Sequence, residues 1–595
     1  MNQLEIRARY DVRILVLKIG TFILLAFLLA RITNLQWIQH DQLVLQSDMN
    51  RLNIVPILPT RGIITDRRGL GLAVNNVSYR IEIIPERVDD IASELTALSA
   101  LIGWSDKKTQ RMIKTVEHSR KDRPFLLEDK LPWQRVAELS ARLHRHPGIN
   151  VKAGTHRFYP FAELTSHVLG YLAIVRDADI EKGYLRNEYV GRSGLERAFE
   201  QRLHGKPGSQ QEEVDAHGRR IAVLAQTPPE MGESLTLSLD VEVQQAASDA
   251  LGERTGAVVV MDVNTGQILT LLSKPGYDTN QFTLGLEQQQ WNEWLHDIRK
   301  PLLNRVTQAA YPPASTWKLI SSFAGLRQNL ALAHGHTQCK GYLELADRQI
   351  RCWKQRGHGR VDLQTAIQQS CDVYYYELGD KLGMEPMMDE ARRWGFGQKT
   401  GIILSPESKG HLSEDLQTLH NGRKRPWYRG INMITAIGQG STTVTPLQMA
   451  RFAAAIANGG RVLKPHLLFG EVPGIEREVN INEHDLQLVR QGMFEVTSEI
   501  HGTAYNPLRH TPWTVAGKTG TAQVIMMAED ATEKNTRIPE KNIHKDHAWF
   551  MGFAPFDHPK IAFAIFVEHG GHGGSAAAPV AKAVIEILAA RESEQ

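Results

Sequence analysis

The chain has 595 residues, and its 69 Lys and Arg residues nearly balance 66 Asp and Glu residues, which gives a net charge of +3 at pH 7. This balance argues against a protein that wraps nucleic acid, because such proteins carry a strong excess of basic residues. Hydrophobic residues make up 42% of the chain, which argues against widespread disorder, and three cysteines are too few for a fold built on disulfides.

The first predicted element is a membrane anchor over residues 14–38, which are largely apolar and long enough to span a bilayer. The tail 1–13 is predicted to be cytoplasmic because it carries three basic residues, Arg7, Arg9 and Arg13. A cleaved signal peptide is the alternative, but Arg31 follows the apolar core and no small-residue cleavage site stands out. We expect an uncleaved anchor, no second spanning segment, and a body that lies outside the cytoplasm.

Residues 39–230 are predicted to form an N-terminal domain of mixed structure. Tyr79–Ile84 alternates like a strand, and Ile91–Gly103 and Trp133–Leu143 show the apolar spacing of helices. The stretch 210–230 is polar and ends in a Pro-Pro pair, which predicts a domain boundary near its end.

Residues 231–595 are predicted to form a second domain of the α+β class. A hairpin near its start and two strands near its end enclose a helix-rich centre, an order that predicts a sheet packed against helices. The predicted elements are the strand Ser234–Leu239, the helix Val241–Leu251, the hairpin strands Gly256–Val263 and Ile268–Leu272, the strands Trp549–Phe553 and Ile561–Val567, and the helix Ala576–Ala590.

The first candidate catalytic motif is a serine followed three residues later by a lysine, Ser315 and Lys318. The prolines before it predict a helix start, with Ser315 in the first turn and both side chains on one face. A serine is a weak nucleophile without a base, and a desolvated lysine near a second cation can be that base. The same spacing occurs at Ser105 and Lys108 in a polar context, so the motif alone is weak.

Two further motifs follow. Ser370 and Asp372, after an amphipathic stretch, would place a second hydroxyl and a carboxylate over the same pocket. An apolar strand then ends in a group that can bind a carboxylate, Lys518, Thr519, Gly520 and Thr521, where Gly520 would let a substrate chain approach the strand edge. Similar triplets at 413–415 and 399–401 lie in a polar loop and after a turn, and are interpreted as chance matches.

The order of the three motifs resembles that of the serine-active penicillin-recognising enzymes. The chain as a whole is similar to class B penicillin-binding proteins. The segments that carry this resemblance are Asn304-Arg305 with the run YPPASTWK at 311–318, RGIITDR at 61–67, GRSGLE at 191–196, GQG at 438–440 and EHGG at 568–571. Asp372, where most of the superfamily has asparagine, points to the penicillin-binding protein 2 branch, which cross-links the wall during elongation. Ala314, where glycine is commoner, is a minor departure.

The resemblance implies a mechanism for a serine-type D,D-transpeptidase. Ser315 would attack the carbonyl between the two terminal D-alanines of a stem peptide, and Lys318 would take its proton. Backbone amides of Ser315 and Thr521 would form the oxyanion hole. Ser370 would relay a proton to the leaving D-alanine, and Asp372 would orient Lys318 or the substrate. The terminal carboxylate would be held by Lys518, Thr519 and Thr521. An amine of a second stem peptide would complete the cross-link, and β-lactams would acylate the serine as substrate mimics.

The resemblance also implies an architecture, a location and partners. The anchor would be followed by an elongated N-terminal pedestal and a transpeptidase domain, in which an antiparallel sheet flanked by helices joins an all-helical subdomain. The chain would cross the inner membrane once, with its catalytic domain in the periplasm. No glycosyltransferase-like segment is apparent, so a separate multi-spanning polymerase would supply the glycan strands and contact the anchor and pedestal.

Other functions of the same fold stay open. They are a D,D-carboxypeptidase, a β-lactamase, a β-lactam sensor, a wall-assembly scaffold that merely retains the fold, and a division-specific transpeptidase. The anchor and the long N-terminal domain favour the transpeptidase over a hydrolase, because a hydrolase needs no scaffold partner. The intact motif residues Ser315, Lys318 and Lys518 disfavour pure scaffolding.

All three cysteines lie close together in sequence, and His358 stands among them. The set Cys339, Cys352, His358 and Cys371 has a composition that suits structural zinc, while the chemistry itself needs no cofactor. The spacings are wide and irregular, so a Cys339–Cys352 disulfide and free buried thiols remain alternatives. Because Cys371 lies between Ser370 and Asp372, a metal there would brace the second motif from behind.

Overall fold

The computed structural model describes residues 3–41, 43, 52–119, 121, 124–143, 148–185, 188–214, 220–345, 348–413, 429–472, 474–523 and 545–594. The chain divides into two compact units that alternate along the sequence. The first contains residues 1–60, 77–155 and 205–231, and the second contains residues 61–76, 156–204 and 232–595. The domain limits 39–230 and 231–595 stay a prediction, and the units differ from them because two early segments pack with the later part of the chain.

The N-terminal helix Gln3–Thr33 continues into a π-helical turn, Asn34–Ile38. Its apolar part, Asp11–Ile38, has 28 residues and a mean hydropathy of 2.4, and it is long enough to cross a bilayer. A second helical stretch, Gly573–Ser593, passes the same test of length and composition, so the expectation of no second candidate was wrong. Half of that stretch is buried, as in the core helix of a globular domain.

Within the first unit, a three-stranded antiparallel sheet places the strand Gly208–Val214 between its two partners. A second group packs helices onto paired strands around a small apolar core that includes Ile81, Leu95 and Leu127. Asp90 caps one helix by accepting hydrogen bonds from two backbone amides, which satisfies donors that a helix start leaves free. The elements are the strands Leu52–Ile57, Gly71–Ile83, Phe125–Leu131, Ile149–Phe158, Gly208–Val214 and Arg220–Thr227, and the helices Ile91–Ile102, Asp106–Glu117 and Trp133–Leu143.

The early segments of the second unit contribute short elements. They are the strands Ile64–Thr65, Leu172–Ile174, Tyr189–Gly191 and Leu235–Thr236, and the helices Ala162–Leu169, Asp177–Ile180, Gly194–Ala198 and Glu200–His204. The predicted strand Ser234–Leu239 is therefore shorter than expected. It pairs with Ile64–Thr65 over two residues only.

The centre of the second unit is a five-stranded antiparallel sheet. Its order is Ile268–Lys274, Gly256–Asp262, Ile561–Val567, His547–Ala554 and Ala516–Ala522. The strands are buried along almost their full length, and the helices Val241–Leu251, Pro446–Ala457 and Ala578–Glu594 pack against them. The strand Ala516–Ala522 lies at one edge of the sheet, so its outer backbone groups pair with no other strand in the described part of the chain.

Helices dominate the chain between the two halves of the sheet, as predicted, and Trp317, Trp394 and Phe452 are among the largest side chains buried between them. Three small two-stranded sheets interrupt this region, so it is not all-helical. The helices are Asn280–Leu284, Gln288–His296, Lys318–Arg327, Leu363–Gln368, Asp372–Leu382, Met384–Arg393, Arg429–Ala436, Pro446–Ala457, Glu483–Ser498 and Tyr505–Leu508. The small sheets pair Thr337–Cys339 with Gly359–Val361, Tyr342–Leu345 with Arg348–Arg351, and Arg461–Leu463 with Ile475–Glu478.

Candidate active site

Ser315 lies in a 3-10 turn, Ala314–Trp317, which leads directly into the helix Lys318–Arg327. Ala314 has a φ of +50°, and its backbone N–H donates to the carbonyl of Gly438 at 2.9 Å. A Cβ atom on Gly438 would lie 2.1 Å from the carbonyl oxygen of Ala314, so only glycine fits beside the turn. The GQG segment thus holds the turn that carries the serine. Ser315 itself is partly exposed.

Lys318 is fully buried, and its ammonium group connects the first motif to the second. Its Nζ donates to the carbonyl of Ser370 at 2.9 Å, to Ser370 Oγ at 3.1 Å and to Asp372 Oδ1 at 2.6 Å. The three N–H groups therefore have three acceptors, and one of them belongs to a carboxylate that balances the charge. Among the described residues, Ser315 is not a hydrogen-bond partner of Lys318.

Ser370 and Asp372 are placed by the junction of two helices, Leu363–Gln368 and Asp372–Leu382. Ser370 has a φ of +55°, an uncommon conformation for a residue other than glycine, which costs energy that the surroundings must offset. Asp372 is the first residue of its helix, where the helix dipole favours a negative charge.

Lys518 brings the third motif to the same place. Burial lowers its pKa well below the usual value, and the nearby charge of Lys318 lowers it further, while Asp372 acts in the opposite direction. Its Nζ donates to the carbonyl of Thr519 at 3.2 Å. The hydroxyls of Thr519 and Thr503 lie 2.6 Å apart. An anion entering this cleft would find a buried cation with an incomplete set of acceptors.

Gly520 has a structural role beside the predicted contact with substrate, which stays a prediction. A Cβ atom there would lie 3.1–3.2 Å from Trp549, the carbonyl of Pro313 and the methyl group of Thr316, so the missing side chain lets the strand pack against the serine turn. Gln439 Nε2 donates to the carbonyl of Thr521 at 3.2 Å, which ties the strand to the GQG segment. The structure thus brings Ser315, Lys318, Ser370, Asp372 and the 518–521 group together around one cleft.

The chance matches have other partners. Ser105 caps a helix, and Lys108 pairs with Glu128. Thr400, in the middle of the 399–401 triplet, binds Glu407 through its backbone N–H and its hydroxyl, both at 2.6 Å. Of the third match, Ser413 bonds to Thr442, whereas positions 414 and 415 lie outside the described residues.

An ion pair that sequence reasoning missed holds the chain leading to the serine. Arg305 Nε donates to Glu568 Oε1 at 3.0 Å, and the hydroxyl of Tyr311 donates to the same oxygen at 2.6 Å. Burial acts to raise the pKa of Glu568, but Arg305 and Tyr311 lower it overall, so the carboxylate is favoured. Both residues stand in segments that carry the resemblance, yet 263 positions separate them and no local signal pairs them.

The cysteine cluster lies directly behind the second motif. The ligand atoms of Cys339, Cys352, His358 and Cys371 all lie within 4.8 Å of one another. His358 Nδ1 is 3.5 Å from Cys339 Sγ and 3.6 Å from Cys352 Sγ, and all three cysteines are buried free thiols. A hydrogen bond from the Cys371 thiol lowers the pKa of Cys352, whereas burial raises that of Cys339. Three thiol groups and an imidazole that converge in this way match the donor set of a tetrahedral zinc site.

Comparisons with known proteins find a family match for each half of the chain. The penicillin-binding protein transpeptidase domain matches residues 256–586, and the penicillin-binding protein dimerisation domain matches residues 56–237. The peptidoglycan D,D-transpeptidase MrdA of Escherichia coli strain K12 is 33% identical over 581 residues, which cover 94% of this chain and 91% of the relative.

Two solved structures are similar over most of the chain. One is the complex between penicillin-binding protein PBP2 and MreC from Helicobacter pylori, with a TM-score of 0.79 and 30% identity, covering 91% of this chain and 100% of the other. The other concerns the structural coordination of polymerization and crosslinking by a peptidoglycan synthase complex. It has a TM-score of 0.71 and 28% identity, covering 97% of this chain and 98% of the other.

Proposed function

The chain belongs to the penicillin-binding protein transpeptidase family, and we propose that it is a peptidoglycan D,D-transpeptidase that cross-links stem peptides during cell elongation. The observation that carries this proposal is the cleft itself. Lys318 joins the Ser315 turn to Ser370 and Asp372, and the strand with Lys518 packs against that turn. The similarity to MrdA over nearly the whole chain supports the elongation branch.

In the proposed reaction, Ser315 Oγ attacks the carbonyl between the two terminal D-alanines, and Lys318 accepts the serine proton. The Lys318 amine must be unprotonated for this step. Ser370 Oγ, which already bonds to Lys318 Nζ, is placed to carry that proton towards the leaving amine. The bond to the terminal D-alanine breaks, and an ester on Ser315 remains.

Substrate binding rests on the edge strand. The strand Ala516–Ala522 offers free backbone groups to an extended peptide, and Lys518 offers a buried cation to its terminal carboxylate. The hydroxyls of Thr519 and Thr521 complete that clamp. The backbone amides of Ser315 and Thr521 supply the oxyanion hole, a contribution that is typically about 3 kcal/mol per donor. An amine of a second stem peptide then displaces the serine and forms the cross-link.

A hydrolase, a sensor or a scaffold of the same fold makes a different prediction. We therefore test purified full-length protein with lipid-linked precursor and a separately supplied glycan polymerase, and we analyse the muropeptides by mass spectrometry. The proposal predicts cross-linked dimers with wild-type protein and none with Ser315→Ala. Loss of terminal D-alanine without dimers would instead indicate a carboxypeptidase, and no change in the stem peptides would indicate a sensor or a scaffold.

We propose an inner-membrane location with the catalytic unit in the periplasm, anchored by the apolar helix Asp11–Ile38. A multi-spanning glycan polymerase is the proposed partner, contacting the anchor and the first compact unit. The similarity to a peptidoglycan synthase complex, and to a PBP2 solved together with MreC, supports partners of this kind. Release of the full chain from membranes by salt alone would contradict the anchor.

For the cysteine cluster we propose structural zinc held by Cys339, Cys352, Cys371 and Nδ1 of His358. The four ligand atoms already lie within 4.8 Å, and they would close onto a tetrahedral ion with small shifts. The metal would order the chain around Ser370 without taking part in the reaction. Protein purified without a histidine tag should contain about one zinc per chain, and Cys352→Ser should lose most of it. A zinc content far below one, or a Cys339–Cys352 disulfide in the purified protein, would contradict this proposal.

A further inference from the structure

Trp353 is the feature of the cleft that neither motif nor composition explains. Its side chain is 59% exposed, so burial in the core does not account for a tryptophan at this position. The backbone N–H of Trp353 nevertheless donates one hydrogen bond, and its indole N–H donates two. All three go to the segment that contains Ser370 and Asp372.

The acceptors of these bonds are largely those that hold the catalytic amine. Asp372 Oδ1 accepts from Lys318 Nζ at 2.6 Å, and Asp372 Oδ2 accepts from the backbone N–H of Trp353 at 2.9 Å. The carbonyl of Ser370 accepts from Lys318 Nζ at 2.9 Å and from Trp353 Nε1 at 3.0 Å. Two of the three acceptors of the ammonium are thus also fixed by Trp353.

We infer that Trp353 is a positioning residue, which fixes Asp372 and the Ser370 carbonyl so that Lys318 points its amine into the cleft. The inference rests on the proposed function of that cleft. Its physical basis is that a carboxylate held on one oxygen only can rotate, whereas donors on both oxygens fix its plane. Asp372 has donors on both, Lys318 on one side and Trp353 on the other.

The strained turn at Ser370 also supports a positioning role for Trp353. Ser370 adopts a φ of +55°, and Trp353 Nε1 donates to the carbonyls of both Gln369 and Ser370, at 3.1 and 3.0 Å. A strained conformation persists only when its surroundings over-determine it. The indole supplies two of those constraints from outside the turn.

The position of Trp353 is itself fixed from behind. The backbone N–H of Cys352 donates to the carbonyl of Gly341 at 2.8 Å, and the indole ring lies 5.5 Å from the ring of His358. Trp353 therefore lies beside His358 of the cysteine cluster and donates hydrogen bonds to the second motif. We expect changes at Trp353 to alter the acylation rate without altering the zinc content of the cysteine cluster.

The experiment measures acylation of the full chain in detergent by a fluorescent penicillin, separating the noncovalent dissociation constant from the rate constant of acylation. Trp353→Phe keeps an aromatic ring and the backbone N–H but removes the indole N–H. Replacing Trp353 by its α-hydroxy acid keeps the side chain and turns the peptide bond into an ester, which removes the N–H that binds Asp372 and weakens the Cys352 carbonyl as an acceptor. The matched control is Trp133→Phe in the first unit, since Trp133 is also 59% exposed.

We expect each change at position 353 to lower the acylation rate constant about tenfold, with the dissociation constant within about twofold and the melting temperature and zinc content unchanged. Trp133→Phe should match wild type. An unchanged acylation rate constant in both variants would overturn the inference. A larger dissociation constant with an unchanged rate constant would also overturn it, because Trp353 would then be a substrate contact. If Trp353→Phe fails to fold, the α-hydroxy variant decides alone. Failure of the Ser315 assignment looks different, because wild type and Ser315→Ala would then label equally, and failure of the transpeptidase function would show as missing dimers in the muropeptide assay.

Discussion

Two clusters of buried charge in the second compact unit are built in opposite ways. Around Glu196, both carboxylate oxygens are occupied, since Arg61 Nε and Arg157 Nε each donate at 2.7 Å and the Tyr159 hydroxyl adds a third bond at 3.2 Å. In the cleft, Asp372 balances Lys318, but Lys518 forms no ion pair among the described residues. The first cluster, whose carboxylate is fully paired, fixes structure, whereas Lys518 in the second can accept an anion as a partner.

The electrostatics of the two clusters follow from this difference. Burial acts to raise the pKa of Glu196, but Arg61 and Arg157 lower it overall, so the ionised form is retained. At Lys518, burial and Lys318 both lower the pKa, so the cation is destabilised until a negative ligand arrives. Changes in the first cluster should therefore alter stability, and changes in the second should alter reaction rate.

The largest expected effect is on rate, from Lys318→Met. Removing the amine should slow acylation by a penicillin about 10,000-fold, or about 5 kcal/mol, because no other group takes the serine proton. The matched control is Lys108→Met, which has the same spacing from a serine but lies at a helix cap. Time courses of covalent labelling measure both variants. A loss of less than tenfold at position 318 would contradict the assignment.

The next effect is on stability, from Glu196→Gln. This change leaves Arg61 and Arg157 buried without a full counter-charge and should lower the free energy of unfolding by about 3–5 kcal/mol. Glu230→Gln, which breaks the exposed pair with Lys206, should leave the free energy of unfolding nearly unchanged, because solvent screens exposed ion pairs. Denaturant unfolding of both variants provides the comparison. Equal effects would show that the Glu196 cluster is not the structural element described here.

A smaller effect should come from pH. Burial lowers the pKa of His167 to about 4, and its Nε2 lies 2.8 Å from the carbonyl of Pro301. The folded state therefore keeps the ring neutral, while the unfolded chain takes up a proton near pH 6.5. The stabilisation is complete above pH 6.5 and is lost as the pH falls towards 4, by up to about 3 kcal/mol. His167→Gln should melt with a shallower pH dependence over this range, and an identical slope would contradict the prediction.

The smallest effect should come from Asp372→Asn. Asparagine keeps an oxygen for Lys318 but removes the negative charge, so acylation should slow about tenfold with little change in melting temperature. Labelling kinetics at a single pH are sufficient. A loss as large as that of Lys318→Met would mean that the carboxylate takes part in proton transfer rather than in holding the amine.

Local patterns in the sequence predicted most elements that have their own apolar periodicity or their own capping residues. The helices Trp133–Leu143 and Val241–Leu251 and the strand Ile561–Val567 have the predicted bounds, because apolar spacing and capping act over a few residues. The predicted strand Ser234–Leu239 was too long because, among the described residues, only Leu235 and Thr236 form a continuous ladder, while Leu237 makes an isolated bridge to Leu468. The last helix, predicted over Ala576–Ala590, lies at Ala578–Glu594, and the sequence interpretation missed only that this region also passes a test of length and composition for membrane spans.

At the site, motif order predicted which residues would meet, and the structure brings them together. The sequence could not reveal how Gly520 lets the strand pack against the serine turn, because Pro313 and Thr316, which approach it, lie in a distant part of the chain. Nor could it reveal Trp353 or the Arg305–Glu568 pair, since hydrogen bonds between distant segments leave no local pattern. Resemblance, rather than spacing alone, separated the true motifs from their chance matches.

We propose that the Ser315 hydroxyl is the nucleophile of a cleft shared by all three motifs. Peptide mass spectrometry of the protein labelled with a β-lactam locates the adduct. We expect a single adduct, on the peptide that contains Ser315, and its loss in Ser315→Ala with the melting temperature preserved. An adduct on Ser370 or elsewhere, or one that survives in Ser315→Ala, would contradict it.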